Sequence, residues 1–99
     1  MVKVNWTNKA LADIDSIATY IAQESPHFAR LQAVKFFTRV EQLTHFPKSG
    51  KIVPEFNSIY LRELIEGNYR IVYRIINKEE IHIVRVHHSA MPLRRKYLR

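Results

Sequence analysis

Along residues 2–6 apolar and polar side chains alternate, with Val2, Val4 and Trp6 on one side of the chain and Lys3 and Asn5 on the other. That two-residue period is the mark of a short half-buried strand. Thr7 is placed to cap a helix beginning near Asn8. Within NKALADIDSIATYIAQE, Leu11, Ile14, Ala18 and Ile21 fall on one helical stripe that Ile17 and Tyr20 widen. ESPHF then closes one helix and opens another, with Ser25 as cap and Pro26 at the first helical position. Ala29, Ala33, Phe36, Phe37, Val40 and Leu43 keep helical spacing to about His45. So short a link predicts an antiparallel helical hairpin. Phe46-Pro47 stops the second helix, PKSGK reads as a turn, and Pro54 and Asn57 keep the next stretch irregular. Strands are expected at 59–65, 69–76 and 80–87, joined by the hairpin links EGN and NKE. The order β-α-α-β-β-β predicts an α+β domain, its N-terminal strand and helix hairpin packed on one face of a mainly antiparallel sheet.

Parity along the middle strand divides its residues. Tyr69, Ile71, Tyr73 and Ile75 point one way, a natural partner for the helices, and Arg70, Val72 and Arg74 point to the side left uncovered. In the last strand strict alternation would group His82, Val84, Val86 and His88 against Ile81, Ile83, Arg85 and His87, a mixture that does not fix its register.

Ninety-nine residues, 46% of them hydrophobic and spread along the chain, suit one domain with one core. The expected boundary leaves residues 1–93 as the domain and 94–99 as a basic tail. The chain has no cysteine, which removes thiolate chemistry and fits a reducing cytoplasm. No apolar run approaches the roughly 20 residues of a membrane span, and the N-terminus lacks a signal-peptide pattern. The charge is more telling. Sixteen Lys and Arg against nine Asp and Glu leave +7, and from Arg85 onward there is no acid, while Arg85, Arg94, Arg95, Lys96 and Arg99 are basic. Such asymmetry points to an anionic partner, whether nucleic acid or acidic protein, with a merely solvated basic surface as the alternative.

The five histidines do not read as a metal site. His27 and His45 belong to helix ends, and His87 and His88, as strand neighbours, face opposite ways. His88 as acid or base, Arg70 on the neighbouring strand as the charge stabiliser and a hydroxyl from Tyr73 or Tyr97 would suit metal-independent RNA cleavage. Solubilising arginines on an open sheet face explain the same residues equally well.

Four stretches in order, W-T-x-x-A-L-A-D-I-D-x-I-x-x-Y-I, L-x-x-F-P-x-x-G, R-E-L-x-x-x-x-Y-R-I-V-Y-R-I and I-x-I-V-R-V-x-H, resemble the RelE/ParE toxin superfamily of bacterial toxin–antitoxin modules and span almost the whole chain. The resemblance implies the same helix-hairpin-on-sheet fold and one of two activities. RelE-like members cut mRNA on the ribosome; ParE-like members inhibit DNA gyrase through protein contacts. Both are neutralised by an antitoxin, laid as an extended or helical segment across a sheet edge or the groove beside the hairpin. The RelE-type arginine falls on Arg70, but the RelE-type lysines fall near Leu61 and Glu63, and the His-Tyr pair of a related nuclease branch becomes His88-Ser89. HSAMPL, residues 88–93, looks like a degenerate form of a ParE-like ending. The resemblance therefore implies a ParE-like gyrase inhibitor bound by an acidic antitoxin in a hetero-oligomer, with no cofactor and no metal. Its partner contacts would come from Arg62, Arg70, Arg74, Arg85, His88, Arg94 and Arg95, the last two in a mobile tail. The alternative is a ribosome-dependent endoribonuclease using Arg70 and His88.

Overall fold

The computed structural model describes residues 1–98; Arg99 of the expected tail lies outside them. Five strands form one mixed sheet ordered β1-β5-β4-β3-β2, with β1 at Lys3–Trp6, β2 at Lys51–Ile52, β3 at Leu61–Glu66, β4 at Tyr69–Asn77 and β5 at Glu80–His88. The helices are α1, Asn8–Ala22, and α2, Pro26–Arg39. β1 pairs in parallel with β5, because the helix hairpin returns the chain to the far side of the sheet before β2 begins. All other pairings are antiparallel.

Local chemistry sets the element ends. The Thr7 hydroxyl accepts from Ala10 N at 3.2 Å and donates to the Ile83 carbonyl at 2.8 Å, so one side chain starts α1 and ties it to β5. Ser25 accepts from Phe28 N at 3.2 Å and Pro26 supplies the first turn of α2. That helix stops at Arg39, earlier than its spacing predicts, and Val40–Thr44 continue as a 3-10 turn that still buries Val40 and Leu43. β2 occupies the end of the stretch expected to be a turn. Gly67, with φ of 58°, makes the tight β3–β4 link that a side chain would resist.

Ala10, Ile14, Phe36, Val40 and Leu43 from the helical layer meet Leu64, Ile71, Tyr73, Ile81, Ile83 and Val86 from the sheet. Phe36 stands edge-on to Tyr69 at 5.3 Å. The expected helix-facing set of β4 is therefore the observed one. Its opposite face is not open, however. Val53, Leu61, Val72, Val84 and Leu93 form a second core there, with Phe56, Tyr97 and Leu98 packed against it. The loop after β2 and the segment after β5 fold back over this face because Val72 and Leu61 would otherwise expose an apolar patch.

The difficulty in registering β5 has a physical cause. Ile83 pairs with Tyr73, but Arg85 pairs with Val72, so the ladder slips by one residue around Val84. A bulge of this kind puts two successive residues against one and reverses the parity downstream. Ile81, Ile83 and Val86 thereby all reach the main core, and Val84 reaches the second.

Candidate functional site

The second face of the sheet carries Arg70 and Arg85, two of the charged residues that the sequence singles out. Arg70, on β4, is 6% exposed. Its Nε donates to Glu63 Oε2 at 2.8 Å, and its Nη1 and Nη2 donate to the two oxygens of Glu55 at 2.7 and 2.8 Å. Nη2 also pairs with Glu63. Lys51 Nζ lies 3.5 Å from the other Glu63 oxygen, so the buried Glu63 carboxylate has two cationic partners. Arg70's hydrogen bonds hold the Glu55 carboxyl down to about 2, and Glu55 in turn holds the Arg70 guanidinium above its ordinary range. Glu55 Oε2 also accepts from Leu93 N at 2.8 Å, which fastens the C-terminal segment to the network.

A second clamp sits on β5. Arg85 donates to both oxygens of Asp13, at 2.7 and 2.8 Å, and to the Tyr97 carbonyl at 3.1 Å. Asp13, from α1, also accepts from Val86 N at 2.9 Å. β1 ends opposite Ile83, so beyond that point the outer amides of β5 have no strand beside them, and the carboxylate of α1 takes that place. Asp13→Ala should accordingly cost about 2–3 kcal/mol, since it leaves a half-buried guanidinium and an edge amide unpaired; urea unfolding measures it.

His87, not His88, lies opposite Arg70 in the ladder, and His88 lies opposite Tyr69 on the helix side. The arginine and histidine of the nuclease reading are thus on opposite faces of the sheet, separated by the strand parity that the bulge sets. His88 is exposed; its Nδ1 accepts from Ala90 N at 3.1 Å and its ring stands 5.7 Å from Tyr69. Neither proposed hydroxyl joins it. Tyr73 Oη is buried in the main core, where it donates to the Pro47 carbonyl at 2.8 Å and accepts from Gly50 N at 2.9 Å. Tyr97 packs beside Arg85, 5.5 Å from guanidinium carbon to ring centre.

His87 Nε2 is buried without a partner among the described residues. Burial, and then the nearby Arg70 charge, lower its pKa. The unfolded chain therefore binds a proton below about pH 6.5 that the folded chain refuses, so stability should fall as pH drops from 7.5 toward 5.5. The slope should shrink in His87→Phe, as read by denaturant midpoints across that range.

The remaining expected contacts are scattered. Arg62 spends its guanidinium on the Ile59, Lys48 and Gly50 carbonyls. Arg74 is half-buried with no ion-pair partner among the described residues, and Arg94 and Arg95 are exposed. Arg95–Leu98 form a 3-10 turn whose Tyr97 and Leu98 rest on the second core. No cluster of three His, Cys, Asp or Glu suited to a metal occurs among the described residues.

Residues 4–93 match the family described as ParE toxin of type II toxin-antitoxin system, parDE. The chain belongs to the ParE toxin family. Toxin RelE2 of Caulobacter vibrioides is 33% identical over 90 residues, which cover 91% of this chain and 98% of that protein. A solved chain described as belonging to a chromosomal ParDE TA system from P. aeruginosa superposes with a TM-score of 0.72 at 26% identity, covering 89% of this chain and 96% of the other. This ParE-family toxin is accordingly a RelE/ParE superfamily member in both sequence and fold. Three members of its charged network, Asp13, Glu55 and Glu63, escape sequence reasoning. The available signal was the seven-residue spacing of Glu63 and Arg70 around Gly67, which puts both side chains on one face of a hairpin.

Proposed function

We propose that this ParE-family toxin acts by holding DNA gyrase through protein contacts, and that an acidic antitoxin neutralises it in a hetero-oligomer, in the cytoplasm. The observation that supports this most is the state of Arg70. Its guanidinium is committed to two carboxylates under the C-terminal segment, on the face opposite His88. Metal-independent cleavage of a phosphodiester needs a cation free to meet the developing charge and a base on the same side. Arg70 offers neither vacancy nor proximity. What remains at the surface is a basic, protein-binding exterior, with Arg74, Arg94 and Arg95 as donors for carboxylates of a partner.

His88→Ala tests the choice in cells. Expression of the variant should arrest growth as strongly as the parent does, with transcripts intact and a DNA-damage response induced. Restored growth together with the loss of ribosomal mRNA scission would replace this reading with the nuclease one.

A further inference from the structure

Away from the charged clamps, a groove of about 820 Å³ opens at the end of β4. Its apolar wall includes Pro47, Tyr60 and Ile76, and Lys48, Arg74 and Lys78 stand around it. Tyr60 is 59% exposed and Ile76 42%, so an aromatic ring and an aliphatic side chain face solvent side by side. The three cations have no ion-pair partner among the described residues. No acid among the described residues lines the groove. Glu80, nearby in sequence, is occupied by His82 at 2.7 Å and Asn5 at 2.9 Å, and Glu79 lies in a neighbouring depression with Met1 and Lys3.

The groove is also held in shape. Ile75 N donates to the Tyr60 carbonyl at 2.8 Å, which binds the approach to β3 against β4. Arg62 Nη1 grips the Lys48 and Gly50 carbonyls at 3.2 and 2.9 Å, which fixes the opposite rim. A site already formed loses little entropy when a segment enters it. The other obvious places for an incoming strand are partly taken, since Arg39 occupies the Ile65 carbonyl at 3.0 Å on the outer side of β3 and Asp13 occupies Val86 N on β5.

We infer that this groove receives a segment of the antitoxin in which an apolar anchor, seated against Tyr60 and Ile76, is flanked by carboxylates that meet Lys48, Arg74 and Lys78. Charge complementarity selects this occupant: a chain of net charge +7 offers here an apolar seat ringed by unpaired cations, which favours an acidic, apolar-anchored peptide over a neutral one. The inference rests on the antitoxin partnership proposed above but not on gyrase as the target.

The test uses the full toxin and its cognate antitoxin, with affinity measured by calorimetry at two salt concentrations. Tyr60→Ala should weaken binding by about 30-fold, as an aromatic anchor does, and Tyr60→Phe should restore it because the ring supplies the contact. Lys48→Glu with Lys78→Glu, both at exposed positions, should weaken binding on the order of 100-fold and flatten its salt dependence. Unchanged melting temperatures show that folding is intact, and gyrase inhibition by the free variants should match the parent. Parental antitoxin affinity in both Tyr60→Ala and the charge-reversed variant would overturn the inference. So would loss of toxicity with antitoxin affinity preserved, which would give the groove to the toxin's target instead. Absence of gyrase inhibition by the parent would sink the proposed target while leaving the affinity result standing.

Discussion

Arg70→Ala should lower the unfolding free energy by about 3–5 kcal/mol, the range expected when one partner is cut from a buried ion-pair network. Glu63, 3% exposed, would keep only the Lys51 contact at 3.5 Å, and Glu55 would lose the forked donor that holds it in place. Because Glu55 also accepts from Leu93 N, the damage should spread to the C-terminal segment and loosen the second core. Arg70→Lys should recover a minor part, since an ammonium cannot serve two carboxylates with three nitrogens. Joint replacement of Arg70 and Glu63 should cost less than the sum of the single replacements. Urea titration reads all three. A solvent-facing arginine kept for catalysis or contact would instead change stability by no more than about 0.5 kcal/mol. The same reasoning disqualifies Arg70→Ala as a clean probe of activity, because loss of function in that variant would report unfolding.

Gly50→Ala should be nearly as damaging. A methyl at that position would meet Tyr73 Cε1 and Oη at 2.6 Å and the Glu63 carbonyl oxygen at 2.7 Å. The ring is fully buried and the carbonyl belongs to the β2–β3 ladder, so neither has room to retreat. The displaced hydroxyl would also abandon Gly50 N and the Pro47 carbonyl. A loss of about 3 kcal/mol or more follows from overpacking combined with two unpaired backbone groups. Tyr73→Phe removes the hydroxyl without the clash and should cost about 1–2 kcal/mol, so the difference between the two variants isolates the steric part. Thermal unfolding of both proteins provides the comparison.

The hydrophobic pattern is enough to place both helices, four of the five strands and the helix-facing residues of β4, because long periodic segments with good caps leave little choice; the two-residue β2 escapes it. Thr7, Ser25 and Pro26 act where their chemistry says they should. The opposite face is covered for a reason that local periodicity cannot reveal. Val72 and Leu61 look like isolated apolar residues among charges until Val53 and Leu93, distant along the chain, come to lie over them. Likewise, nothing in HIVRVHH announces a bulge, yet that single extra residue determines that His87 rather than His88 shares a face with Arg70. Arginines threaded through these strands looked like a cationic surface, but Arg70 and Arg85 are internal fasteners. Arg94 and Arg95 are exposed and Arg74 is half-buried, and the cation-fringed groove beside Tyr60 is not legible locally because its parts come from three separated stretches of chain.

The central claim, that this fold spends its arginine on structure and acts by gripping another protein, meets its most direct test in a supercoiling reaction with purified gyrase. Addition of the toxin should block supercoiling and accumulate cleaved DNA complexes, and His88→Ala should do so equally well. Unimpaired supercoiling at a large molar excess of folded toxin, with no cleaved complex, would contradict it.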